Sequence, residues 1–245
     1  MGVSASGREC VGGWRRVLIR GLVAFVAFGS GVLVPRAALA AADAAEVARK
    51  VQARYDDTRD FTASVTQEMT IASLGKTVVS HGTIAFKRPG KLRLELTDDE
   101  PQTVVADGTT LWLYQPKEQQ VMKAPFDAAF RSTTPISFLT GVGRINDDFE
   151  VQLDGNTPAG TVTPGAPPEI VLLLTPKRAG NDVGQLRLTV APDSFDIRSA
   201  EVHDPLGNIS RLRFDHMHRN GGVPDEQFVF HVPPGVDVIS APIGQ

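Results

Sequence analysis

Five histidines, His81, His203, His216, His218 and His231, are the side chains best suited to hold a metal or move a proton near neutral pH. His216 and His218 stand two apart in a stretch of strand-like alternation, so they share a face, a spacing that a metal site can use. A metal needs more ligands than two. The single cysteine, Cys10, precedes an N-terminal apolar run, and nothing places a third ligand beside the pair. The pair reads as a solvated strand face, without metal. Asp98-Asp99 and Asp147-Asp148 offer paired carboxylates for acid/base work, but both sit in polar turn regions where neighbouring acids are ordinarily solvated. Gly141-Val142-Gly143 lacks the third glycine and the preceding strand of a dinucleotide loop. No Gly-x-Ser-x-Gly elbow and no His-Glu-x-x-His pair occurs. The chain reads as a protein with no catalytic residue and no cofactor, an enzyme built on a carboxylate pair in a cleft being the less favoured class.

The apolar residues are more informative. Leu92, Leu94 and Leu96 alternate with Arg93 and Glu95, so a strand here has one oily face and one charged face, as in a sheet wetted on one side. Asp107-Gly108 separates Thr103–Ala106 from Leu111–Tyr114. This is the signal of a two-residue hairpin in which both central residues take positive φ, which makes the neighbouring strands antiparallel.

Before these strands, Asp43 and Glu46 have the form of a capping box. Val47, Val51 and Tyr55, with Ala48 beside them, then mark one face of an amphipathic helix of about 13 residues. From Asp60 the period becomes two: Phe61, Ala63 and Val65 alternate with Thr62, Ser64 and Thr66, and a second strand runs through Ile84 to Phe86. Strands continue to Lys123. Between Ala124 and Gly143 the pattern breaks, and Thr134, Pro135 and Gly141 bound a short helix bearing Ile136, Phe138 and Leu139. Further strands cover Phe149–Leu153, Glu169–Pro176, Leu186–Val190, Ile197–His203, Ile209–His218 and Phe228–Val232, with an exposed proline-rich loop at Asn156–Pro168. The expected fold is mainly β: an incomplete, half-open antiparallel barrel of about ten or eleven strands with an α-helical lid. Such a curl has an interior that either fills with side chains or holds one ligand.

The N-terminus sets the compartment. Arg8, Arg15, Arg16 and Arg20 precede the apolar run Gly21–Val34, followed by Ala38-Leu39-Ala40, the plan of a secretory signal peptide cleaved after residue 40 or just beyond. Residues 41–245 then form a single domain, exported to the periplasm, with no cysteine to carry a lipid anchor or a disulfide. Residues 1–40 hold five arginines and one glutamate, which leaves 20 basic and 27 acidic side chains and a net charge of −7 on the remainder. That balance argues against nucleic acid and anionic headgroups as general partners.

Phe61–Gln67, Lys87-Arg88-Pro89, Asp107–Tyr114, Thr134-Pro135, Leu174–Lys177 and Phe228-x-Phe230 leading to Pro233-Pro234-Gly235 together resemble the LolA family of periplasmic lipoprotein carriers. The resemblance implies a half-open β-barrel under a helical lid, with no catalytic residue. It implies a soluble monomer that takes acyl chains of lipoproteins from an inner-membrane lipoprotein-releasing ABC transporter to an outer-membrane acceptor, where one exists. Arg88 takes the place of the arginine that latches the lid in the family; Leu92 and Leu94 take places of cavity-lining residues that are commonly aromatic there. The candidate cavity is Leu92, Leu94, Leu96, Trp112 and Tyr114, the lid Ile136, Phe138 and Leu139. A related barrel that binds another lipid or glycolipid, or senses mislocalised lipoproteins, is the alternative.

Overall fold

The structure, a computed structural model, describes residues 36–126, 144–154, 169–177 and 184–240, with the backbone alone for 36–42. Helix α1 (Arg36–Asp56) leads into β1 (Asp60–Ile71), β2 (Lys76–Lys87), β3 (Lys91–Leu96), β4 (Gln102–Asp107), β5 (Thr110–Gln115) and β6 (Gln120–Pro125). A single-turn helix α2 (Ile145–Asp148) precedes β7 (Phe149–Leu153), β8 (Ile170–Pro176), β9 (Gln185–Val190), β10 (Ile197–His203) and β11 (Ile209–Arg219), and β12 (Asp237–Ser240) ends the described chain. The expected signal segment, the expected lid residues Ile136, Phe138 and Leu139, and the proline-rich loop lie outside the described residues.

The strands form one sheet in the order β12-β6-β5-β4-β3-β2-β1-β11-β10-β9-β8-β7. Its spine is the long β1–β2 hairpin, paired without interruption from Asp60↔Lys87 to Ile71↔Lys76. Among the described residues the edge strands β12 and β7 do not pair with each other, so the barrel is open as expected. The described residues form twelve strands rather than ten or eleven, and one pair departs from the antiparallel expectation: β12 runs parallel to β6. Parallel pairing here follows from the extended strap 229–236, which carries the chain back before it joins the edge. That strap is also where alternation misleads. Phe228, Phe230 and Val232 form no strand; a 3-10 turn (Asp225–Phe228) and irregular chain lie there instead.

Leu96 of β3 and Leu172 of β8 belong to one buried cluster although five strands stand between them in the sheet. The sheet therefore curls its apolar face inward. Alternation decides which residues reach that interior: Phe61, Ala63 and Val65 of β1, Ile84 and Phe86 of β2, and Leu92, Leu94 and Leu96 of β3 are all buried in it. Helix α1 lies across the same face and contributes Ala48, Val51 and Tyr55. It begins at Arg36 rather than at Asp43, so Asp43 is an interior residue and Glu46 pairs forward with Arg49 and Lys50 instead of capping back.

Asp107-Gly108 also differs in detail from a mirror-image turn. Only Gly108 has positive φ, +97°. Asp107 instead turns its carboxylate into the loop, where Oδ1 accepts from the N–H groups of Thr109 and Thr110, each at 2.8 Å, and from the Thr109 hydroxyl at 2.7 Å. Burial would raise this carboxyl, but those donors outweigh it and hold it below the usual range.

Close approach of two strands makes one glycine indispensable. A Cβ on Gly82, paired between Val65 and Leu96, would lie 1.8 Å from the Glu95 carbonyl oxygen. Gly82→Ala must push β2 from β3 and is expected to cost about 1–3 kcal/mol or more, read as a lowered urea midpoint at unchanged m-value. An unchanged midpoint would mean that the two strands can separate freely at this point.

Candidate functional site

The site is the inward apolar face and the groups that hold α1 over it. Leu92, Leu94 and Leu96 are 0%, 5% and 4% exposed, side by side on β3 because the strand places every second residue inward. Cross-strand pairing sets them against Phe86, Ile84 and Gly82 on one side and Ala106, Val104 and Gln102 on the other. The oily row is covered by the chain itself, and an incoming apolar chain has to replace those contacts.

Trp112 and Tyr114 do not join this row. Trp112 pairs with Val105 and Tyr114 with Thr103; these are the outward residues opposite Arg93 and Glu95. The two aromatic rings sit on the outer face, each 6.1 Å from the ring of Phe230 in the strap. One residue of register along β5 places its inner side chains at Leu111 and Leu113. The five expected cavity residues are thus divided between two faces, and Trp112 and Tyr114 anchor the strap.

Arg88 lies in the turn between β2 and β3, whose Arg88-Pro89 bond is cis. Its Nη2 donates to the carbonyl oxygen of Tyr55 at 2.8 Å, and the guanidinium is 3.7 Å from Asp56 Oδ1. This is the last turn of α1, where carbonyl groups lack helical partners and a cation complements the dipole. Arg88 Nε is buried and has no hydrogen-bond partner among the described residues. Its neighbours grip the other side of the structure: Lys87 and Lys91 bind Asp225 at 2.6 and 3.1 Å, and Lys87 donates to the Val223 carbonyl. Val223 and Phe228 bury Ala85 on the outer face. One short turn therefore ties the helix inside to the segment 223–225 outside.

The opposite side of the last turn of α1 is held from the β9–β10 connection. Arg54 Nε donates to Asp196 Oδ1 at 3.0 Å, Arg219 pairs with Oδ2, and the Ile197 N–H donates to the Tyr55 hydroxyl at 3.3 Å. Burial would raise the Asp196 carboxyl, but hydrogen bonds from Arg219 and Arg54 outweigh it and keep it below the ordinary aspartate range. Burial raises the Tyr55 phenol far above its usual value. None of these contacts is legible from spacing: Asp196 and Arg54 are 142 residues apart.

The residues first considered for chemistry have other duties. Asp98 Oδ2 accepts from the His81 N–H at 2.8 Å, and Asp148 Oδ2 from the Arg144 N–H at 3.0 Å, so one acid of each pair caps backbone. His216 and His218 do share a place. They line a cavity of about 770 Å³ on the outer face with Thr62, Ser64, Thr83 and Gln227. Among the described residues no three His, Cys, Asp or Glu side chains gather as metal ligands.

An open sheet that curls its apolar face inward, with one helix clasped over it, defines a class of protein built around an apolar interior. The chain belongs to the family described as outer membrane lipoprotein carrier protein LolA, which its sequence matches over residues 56–231. It is 32% identical over 183 residues to an outer-membrane lipoprotein carrier protein of Dechloromonas aromatica, covering 75% of this chain and 82% of that protein. A protein of the same name from Leptothrix cholodnii is 34% identical over 179 residues, covering 72% and 77%. In fold, the chain is similar to an uncharacterized conserved protein from Thermus thermophilus, with a TM-score of 0.50, 12% identity and 81% and 99% coverage.

The depressed Asp196 carboxyl makes a prediction with a defined sign. Its contribution to stability is fully present above the unfolded aspartate pKa of about 3.9 and is lost as pH falls through the lower folded value. The stability gap between the native chain and Asp196→Asn, measured by urea denaturation, should be constant from about pH 7 to 5 and shrink below about pH 4. A gap that does not change with pH would show that the carboxylate charge contributes nothing.

Proposed function

We propose that this protein is a periplasmic carrier of lipoproteins: it binds the acyl chains released by an inner-membrane ABC transporter and delivers them to the outer membrane, to an acceptor where one exists. Residues 1–40 serve as the cleaved signal peptide, and 41–245 act as one monomeric carrier domain. The observation that carries the reading is the buried leucine row on the same inward apolar face as a helix whose last turn an arginine of the β2–β3 turn holds.

The physical requirements of such a carrier are restrictive. Acyl chains offer almost no polar handle, so the site needs apolar area and a way to shield it when empty. Burying a large aliphatic side chain stabilises by about 1.5–3 kcal/mol. A lipid chain that displaces the protein's own cover recovers a similar amount on the same face, so loading and unloading need little net free energy. Leu92, Leu94 and Leu96 are the proposed lining. Ile136, Phe138 and Leu139 are the proposed lid, together with α1. No covalent step is required, and the reading assigns none.

Arg88 is the proposed latch. Its bond to the Tyr55 carbonyl exists only while α1 is seated, so it favours the closed, empty protein and promotes release of cargo. The leucine row itself is aliphatic, with Phe86 and Phe61 beside it, a lining that suits flexible saturated chains.

The first test is to purify the processed protein from its native periplasm and examine co-purifying molecules by native mass spectrometry with detergent release. A bound triacylated lipoprotein supports the reading; free phospholipid or glycolipid alone, with the transporter supplied, points to a barrel for another lipid. Arg88→Leu should fold and accept lipoprotein from the transporter, while transfer to outer membrane falls about tenfold or more. Undiminished transfer would remove the latch role.

A further inference from the structure

The last turn of α1 is gripped from two sides, and Arg88 is only one of them. The other grip is the β9–β10 connection. It is a tight turn, with the Ala191 N–H donating to the Asp196 carbonyl and the Phe195 N–H to the Ala191 carbonyl, each at 2.9 Å. Phe195 is held at φ +57°, a left-handed value that a bulky residue adopts only when its surroundings fix it. Three contacts run from this turn to successive positions of the helix: the Lys50 ammonium lies 5.0 Å from the centre of the Phe195 ring, Arg54 binds Asp196, and the Tyr55 hydroxyl accepts from Ile197. Asp196 is central, because its two oxygens hold one guanidinium from the helix and one from the end of β11.

We propose that Asp196 is the counter-latch of α1: a positioning residue that, opposite Arg88, sets the balance between the helix seated on the inward apolar face and the helix lifted from it, and thereby sets the affinity for acyl chains. The proposal rests on the carrier reading above and adds to it a second control point on the far side of the helix.

The argument is one of linkage. A ligand that needs α1 lifted binds with its intrinsic affinity multiplied by the fraction of molecules in the lifted state. Any interaction made only in the seated state lowers that fraction, and deleting it raises apparent affinity. Asp196 meets this condition, since its Arg54 contact crosses from sheet to helix. Asp196 is 17% exposed and Arg219 13%, so the carboxylate is shielded on the sheet side, while Arg54, 44% exposed, reaches it from the helix. Without the carboxylate, Arg54 and Arg219 are two cations facing one neutral group, and Arg219 Nη1 already lacks a hydrogen-bond partner among the described residues. Moving α1 away relieves that repulsion. Neutralising Asp196 therefore favours the lifted helix.

Tyr55 joins the two latches. Arg88 holds its carbonyl and the counter-latch turn holds its hydroxyl, so both report on the seating of one residue. Their effects must saturate together: once α1 is lifted in most molecules, loosening the second grip adds little.

The experiment measures binding of a fluorescent fatty acid to the processed chain and to Asp196→Asn, Arg54→Gln, Arg88→Leu and Asp196→Asn/Arg88→Leu, with hydrogen exchange of α1 in each. Asp196→Asn is expected to tighten the apparent Kd about fivefold and lower amide protection along Val47–Tyr55. Arg54→Gln leaves the Asp196–Arg219 pair in place and should act in the same direction, more weakly; it keeps the test open should Asp196→Asn fail to fold. The double variant should bind less tightly than the product of the single effects predicts. Loss of α1 protection at unchanged Kd would make Asp196 a purely structural contact and overturn the proposal. A shift in Arg88→Leu with none in either counter-latch variant would overturn it while leaving the carrier reading standing. No probe binding by any of the five proteins would overturn both.

Discussion

One face of one sheet has to be kept from water and yet be surrendered to a ligand. The leucines of β3, with Phe61, Phe86 and Ile84 beside them, are buried by the chain's own curl and by α1. The hydrophobic effect that closes this interior is non-directional and grows with area, so it cannot by itself choose between a helix and an acyl chain as the cover. In the proposed carrier the choice falls to directional groups at the rim, Arg88 on the Tyr55 carbonyl and Asp196 between Arg54 and Arg219: area drives both states, and a few polar contacts decide between them.

The turn between β2 and β3 connects those decisions to the rest of the molecule. Arg88 points to the helix, while Lys87 and Lys91 hold Asp225, in the 3-10 turn before the strap, on the other face. Gly90, at φ +62°, and Gly108, at φ +97°, let this turn and the β4–β5 turn lie together beneath Phe126; a Cβ on Gly90 would come within 2.9 Å of that ring. The Lys-Arg-Pro-Gly and Asp-Gly-Thr-Thr stretches are thus neighbours in space. Their residue types follow from that meeting: glycine where a Cβ would collide, aspartate where three donors converge, arginine where a helix ends.

The outer face is not idle surface. Trp112 and Tyr114 hold Phe230, Ala85 is buried under Val223 and Phe228, and a cavity remains between the sheet and Glu226-Gln227, where His216 and His218 meet. On the same face Glu201 accepts from His203 and Arg211, and Arg211 also binds Glu68, so a charged ladder crosses β10, β11 and β1. Burial would raise the Glu201 carboxyl, and its hydrogen bonds from His203 and Arg211 outweigh this and lower it. Such ladders fasten the wet side of the sheet while the dry side stays mostly apolar.

Period-two alternation from Asp60 onward, the Asp-Gly turn and the leucines of β3 were enough to read a curled antiparallel sheet from the sequence, and the stripe of α1 was enough to say that a helix packs on it. These are local properties: which side chains share a face depends on strand or helix period alone. Trp112 and Tyr114 show the limit, because an aromatic pair reads equally well as cavity lining or outer anchor until cross-strand register assigns the face. The same holds for Phe228, Phe230 and Val232, whose alternation mimics a strand but serves a strap. Asp196 and the Tyr55 carbonyl left no trace at all, since a carboxylate gripping a helix 142 residues away is created by chain topology and not by any spacing. What the sequence determined by itself was the oily face and its need for a cover; only the tertiary structure decided which polar groups hold that cover down, because their partners come together through folding alone.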